Sequence, residues 1–284
     1  EAEQRKLAQK QKEAADRNFK LARDAVDELT MVSQDELFNL PQMEPVRKAL
    51  LEKAKEFYET FVAQAAGDAE LAGELGRANL RVGDILDDLG DHLAAISEYE
   101  EANAVFSRLA RDHPAVPRYA SSLADSHDRL GIVLRSLGQN DEAIAECNNA
   151  IVIQKKLIKE YPGVPGHKNG LALYYNNLAI GLGGLGRTDE AIELYNKAAL
   201  IREQLFKDHS DITTYAVGLA SSYNNLANIL NTLGKDDKAI EFYNKAIAIR
   251  EQLVKDHPDV SEYAFSLAGP YNNLAVALKG VGRV

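Results

Sequence analysis

The chain has 284 residues and a formal charge of −10, from 33 Lys and Arg against 43 Asp and Glu. That balance argues against nucleic acid as a partner, because polyanion binding needs clustered cations to displace counterions. The lone Cys147 rules out an internal disulfide, and no apolar run approaches the ~20 residues of a membrane span.

The opening, EAEQRKLAQK, begins without Met and lacks the apolar stretch of a secretion signal. It reads as part of a longer protein. Residues 1–30 are expected to form one charged helix. Ala15, Phe19, Ala22, Val26 and Leu29 follow a 3.5-residue spacing, which predicts a pairing seam and homo-oligomer contacts through residues 15–29. Before residue 15 the stripe is thin and the helix is expected to project as a stalk. A break falls near SQDELFNLPQMEP, so residues 1–41 read as stalk and linker and 42–284 as a separate array. Helix 43–64 is expected to be the second half of an incomplete first unit.

From there a repeat governs the chain. Gly90, Gly138, Gly186, Gly234 and Gly282 stand 48 residues apart. The pairs Ala143-Ile144, Ala191-Ile192 and Ala239-Ile240 keep step, as do His113, Tyr161, His209 and His257, mostly followed by Pro. Within 215–233, Tyr215, Leu219, Tyr223, Leu226, Ala227, Leu230 and Leu233 form one apolar helical stripe. Ala239, Ile240, Tyr243, Ala246, Ile247, Ile249 and Leu253 form another. Each Gly suits a left-handed C-terminal cap. Asp236 and Asp237 suit a positive helix N-terminus, and the His-Pro element suits a helix stop. Each unit is therefore two antiparallel helices of roughly 20 residues.

The pattern Tyr223-x2-Leu226-Ala227-x2-Leu230, Ala239-x3-Tyr243, Pro258 resembles the tetratricopeptide repeat, lengthened from its usual ~34 residues by about two turns per helix pair member. The phrase IREQLVKDHPDV followed by YNNLA is similar to the long repeats of kinesin light chains. It is also similar to the repeat regions that follow the kinase domain in planctomycete receptor-like serine/threonine kinases. The resemblance implies an all-α, right-handed α-solenoid that binds a protein or peptide ligand without chemistry. It implies a cytoplasmic location for a free-standing chain and an extracytoplasmic one if the chain follows a receptor's membrane span.

YNNLA occurs at 175–179, 223–227 and 271–275. Its Leu is expected to be a core knob. Its Ala, with Gly83 and Gly131 at the same register, must be small where helices cross closely. Its Tyr should fill the seam between units, with the hydroxyl at a polar rim. The first Asn forms a register row with Asp128, Asn176, Asn224 and Asn272. The resemblance places the first helices on the inner wall, making this row an amide ladder for an extended peptide. Asn228, Asn231, Asp125, Arg135 and Lys279 belong to the same stripe. Chaperone-binding tetratricopeptide domains use a basic set that is missing here, so the expected ligand is neutral or basic. The second Asn (Asn177, Asn225, Asn273) is expected to hydrogen-bond a neighbouring helix.

Three signals look chemical. Gly181, Gly183 and Gly186 spell G-x-G-x-x-G, but a phosphate cradle needs a preceding strand and here a helix precedes. Asp112-His113, Asp208-His209 and Asp256-His257 recur at helix ends, which points to capping and not to a dyad. Cys147 aligns with Tyr195 and Tyr243 and is expected to be a core thiol. No cofactor and no metal are expected, and the chain reads as a non-enzyme. Small-ligand sensing in the groove and structural self-assembly are the competing readings. At the far end, Pro270 with Gly269 should kink or restart the last helix. Leu274 and Leu278 lack a following partner, so the chain is expected to continue or to pack there on another molecule.

Overall fold

The computed structural model describes residues 68–283 and, before them, isolated positions between 25 and 60. The predicted stalk, its pairing seam at 15–29 and most of helix 43–64 lie outside the described residues. The chain divides into two compact units, Glu1–Asp112 and His113–Val284. All regular structure among the described residues is helical.

In the first unit, α1 (Ala69–Asp88) pairs with α2 (His92–Asp112). The Asp68 side chain caps α1 by accepting from the amides of Glu70 (2.9 Å) and Leu71 (3.2 Å). The Tyr99 ring crosses at Gly83, where a methyl group would come within 2.5 Å of it. The Tyr99 hydroxyl donates to Asp84 at 2.9 Å.

The second unit stacks α3 (Pro117–Ser136), α4 (Asn140–Glu160), α5 (Pro165–Gly184), α6 (Thr188–Asp208), α7 (Thr213–Thr232) and α8 (Asp236–Asp256). The short α9 (Ser261–Phe265) and α10 (Ala268–Gly280) follow. Each odd helix from α3 to α7 pairs with the next one. Each second helix then packs on the first helix of the following pair, and α3, α5 and α7 touch in sequence. This is the all-α solenoid that the 48-residue period predicts.

The connections explain the period. All five punctuating glycines have φ between +66° and +80°. After α3, for example, Gly138 N–H reaches the Arg135 carbonyl (2.9 Å) and Gln139 N–H the Leu134 carbonyl (3.0 Å). The same double closure recurs after α1, α5, α7 and α10, and it gives partners to carbonyls of the last turn that the helix's own ladder leaves open. At the other end of each pair, the His209 amide closes α6 onto the Leu205 carbonyl at 2.9 Å, and Ile212 N–H then turns back to His209 at 3.1 Å. The His209 ring meets Tyr215 edge-on at 6.1 Å. This turn forms at Ser210 just as its relatives form at Pro114, Pro162 and Pro258, so proline reinforces it without being required.

Small residues mark the crossings. Ala150, Ala179, Ala198, Ala227 and Ala246 are all fully buried. Gly131 lies under Cys147, and an added methyl would stand 2.7 Å from its sulfur and 3.0 Å from the Ala143 carbonyl. Leu178 and Leu226 are core knobs as expected. The last copy differs, since Ala275 is exposed and Leu274 only partly buried. The expected interruption at Pro270 is present. The helix breaks at Ser266–Leu267 and restarts so that Pro270 sits in the first turn of α10, where its missing N–H leaves no bond unmade.

Candidate ligand-binding face and its asparagine seam

The repeated Tyr-Asn-Asn faces three ways. The Tyr223 hydroxyl donates to Glu203 on α6 at 2.5 Å, and Tyr271 does the same to Glu251 on α8. Tyr175 instead lies under the Lys155 ammonium, 5.7 Å from its ring centre. Tyr175 and Tyr223 are buried in the seam toward the preceding second helix, as the sequence leads one to expect, whereas the Tyr271 ring is exposed.

The two asparagines point to opposite neighbours. Asn177 on α5 looks back, and its amide donates to Asp128 on α3 at 2.7 Å. Its own carbonyl accepts from Arg135 at 3.3 Å. Asn273 likewise looks back to the Asn228 side-chain oxygen at 3.1 Å, which Tyr243 also reaches at 2.7 Å. Asn176 looks forward, donating to Ser222 on α7 at 3.0 Å. The Ser222 hydroxyl is fully used: it accepts from Asn176 and from Arg202 (2.8 Å) and donates to the Gly218 carbonyl (3.1 Å). One hydroxyl thus joins α5, α6 and α7. Arg202 is buried at this node, also donating to the Gly218 carbonyl at 2.9 Å, and burial lowers its pKa to about 10.

The expected groove residues therefore separate into two groups. Asp128 and Asn176, each 4% exposed, are inside the seam and not on an open wall. A stacked first helix is covered on three sides, so a stripe that reads as polar and free in the sequence is partly enclosed by its neighbours. Asp125 accepts from Tyr174 at 2.6 Å, and Arg135 and Asn228 also bridge helices. Burial pushes the Asp128 carboxyl up to about 7, with the Asn177 hydrogen bond pulling the other way. Its second oxygen is buried without a partner. In the second group, Asn272 and Lys279 are exposed and Asn224 and Asn231 half-buried. Asn224 has a buried side-chain oxygen without a partner. The Asn176 side-chain oxygen is likewise buried without a partner; where Ser222, 46 positions on, accepts from the Asn176 amide nitrogen, the matching position for Asn224 is Pro270, which has no hydroxyl to accept.

Alongside the amides runs an uncharged row of which the sequence reading named only Asn228. Ile180 (41% exposed), Asn228 and Val276 (54% exposed) hold one register position on α5, α7 and α10, with Leu173 (42% exposed) two turns before Ile180. The visible signal was apolar residues outside the core stripe at i and i+7. Two equivalent clefts also went unseen. One of about 570 Å³ is lined by Pro162, Leu205 and His209, and another of about 510 Å³ by Ser210, Leu253 and His257, the same positions one repeat later.

The chemical-looking motifs resolve into structure. Gly181, Gly183 and Gly184 belong to α5 and Gly186 is its cap. Asp208 and Asp256 accept from Gln204 and Gln252 at 2.8 Å, while the adjacent His rings lie on Tyr215 and Tyr263. Burial pushes the Cys147 thiol up to about 12. Among the described residues, no cluster of His, Cys, Asp and Glu is placed to hold a metal, and no helix is long and apolar enough to cross a membrane.

Comparison with known proteins agrees with this geometry. Models of the tetratricopeptide repeat match residues 171–211 and 219–259, and a further one matches 88–165. A search of curated proteins finds no match. Among solved structures, BtubC (BKLC) from P. vanneervenii is 22% identical with a TM-score of 0.65, over 84% of this chain and 85% of that one. A putative kinesin light chain of Podosopora anserina, with nearly identical TPR-like repeats, is 17% identical with a TM-score of 0.50, over 82% of this chain and 98% of that one.

Proposed function

The chain belongs to the tetratricopeptide-repeat family, a class of protein-interaction scaffolds, and from that premise we propose that it binds an extended, neutral protein segment along its first helices. The observation that carries this reading is the row Ile180, Asn228 and Val276, flanked by Asn224, Asn231 and Asn272. Apolar side chains at repeat spacing offer places for ligand side chains. The amides offer both donors and acceptors to a ligand backbone. Asp125 and Asp128 are engaged within the seam, so they contribute little attraction for a basic segment. Lys279 alone does not make the cationic clamp that an acidic tail requires.

Selection from a random displayed-peptide library tests the reading. Enriched peptides should be neutral, carry apolar residues, and hold on in high salt. Ile180→Arg, and separately Asn224→Ala with Asn231→Ala, should weaken capture without lowering the melting temperature. Enrichment of acidic peptides released by salt, or capture indifferent to these substitutions, would refute it.

A further inference from the structure

The two clefts of the second unit are copies of each other. The first, about 570 Å³, opens between the start of α5 and the second half of α6. Every residue that lines it has its counterpart 48 positions on in the second, of about 510 Å³ between α7 and α8, where Phe206 joins the lining. The first stays open although a complete hairpin, α7 with α8, follows it. The cleft therefore belongs to the repeat itself and is not a gap left by a missing neighbour.

Both floors are apolar, with Ile201 and Leu205 in the first and Ile249 and Leu253 in the second. Leu200 at the first cleft is 68% exposed, and Val152 holds that register one unit earlier at 67%. Ala248, also exposed, continues the row at the second cleft. Packing of the core does not use these side chains, and exposed apolar residues grouped at a cleft mark an interaction surface.

Charge tells the two clefts apart. The first balances Lys168 against Asp208. The second carries Asp211 and Asp256, and its described lining holds no cation. Gln252 fixes the Asp256 carboxylate through both oxygens at 2.8 Å. Spacing then sets the reach of a ligand. Helix α7 separates α6 from α8 and touches both, and packed helix axes stand ~8–10 Å apart. Roughly 10–14 Å between the clefts is about three or four residues of extended backbone.

We propose that the paired clefts are a second docking surface for one extended segment of a partner protein. That segment seats two bulky apolar side chains three or four residues apart, with a Lys or Arg beside the one in the second cleft. The surface shares no residue with the row on the first helices, so the two readings stand or fall separately.

The test selects a random displayed-peptide library on the full chain carrying Ile180→Arg, which disables the row on the first helices. The expected consensus has two bulky apolar residues three or four apart and a Lys or Arg next to one of them. A synthetic peptide of that consensus should bind about tenfold or more weakly, equivalent to ~1.4 kcal/mol, when the chain also carries Leu200→Arg or Ala248→Arg. Both positions are exposed, so these variants should melt as the parent does. Asp211→Lys with Asp256→Lys should turn the preference toward a peptide with Glu in place of the cation. No enrichment, a consensus with a single apolar residue, or binding indifferent to Leu200→Arg and Ala248→Arg overturns the proposal. So does a dimer of the free chain, seen by light scattering, that these substitutions dissolve, since it would give the clefts to a second copy.

Discussion

Replacing Asp128 by Asn should stabilise the protein at alkaline pH and do little at acid pH. Asp128 is 4% exposed, one of its oxygens is unpartnered, and its pKa stands at about 7 against an ordinary 3.8. A folded-state pKa above the unfolded value means the native state holds the proton more tightly. This group's contribution is therefore fully present below about pH 4 and is lost as pH rises through 7. At ~1.4 kcal/mol per unit, a rise of roughly three units sets a ceiling of about 4 kcal/mol on the cost of ionising the buried carboxyl. Local relaxation makes about 2 kcal/mol a realistic gain for Asp128→Asn at pH 8, or ~4–8 °C in melting temperature for a domain of this size. The amide preserves the acceptor for Asn177 and repeats the residue found at Asn176, Asn224 and Asn272. Thermal unfolding followed by circular dichroism at pH 5 and pH 8 decides the matter. An equal shift at both pH values, or a variant less stable at pH 8, would show that the buried carboxylate is not the source of strain in this seam.

Ser222→Ala should cost about 2–4 kcal/mol by leaving Asn176 and buried Arg202 without their shared acceptor, whereas Asn272→Ala, at an exposed position, should stay within about 0.5 kcal/mol; urea unfolding measures both. Gly131→Ala forces a methyl against Cys147 and the Ala143 carbonyl and should destabilise by about 1–3 kcal/mol, again read by urea unfolding. Pro270→Ser restores a hydroxyl at the register position that serves Asn176 elsewhere. It should slow amide hydrogen exchange across 261–280, and unchanged exchange there would show that a hydroxyl at position 270 does not reach the Asn224 amide as Ser222 reaches that of Asn176.

Periodicity made the helices, their pairing and their caps legible, because each rests on local chemistry: a glycine that can turn left-handed, an acid at a helix start, a small residue at a crossing. Asn177 and Asn273 were also readable, since a polar residue one step round from the ladder had to meet a neighbour. Asp128 and Asn176 were harder. A helical stripe distinguishes inside from outside for a single helix, but it does not reveal a third contact made only when units stack. Ser222 carried no visible mark either. A serine at one register, where other copies have Ser126, Tyr174 and Pro270, becomes a three-helix junction only through the neighbours that stacking supplies.

Cys147, sealed beneath Gly131 with its thiol held far from ionisation, makes the native chain its own stopwatch. A soluble alkylating reagent can meet that sulfur only when the packing of α3 and α5 on α4 opens. The labelling rate therefore counts how often this three-helix junction breathes, with no engineered probe and no second thiol to confuse the signal.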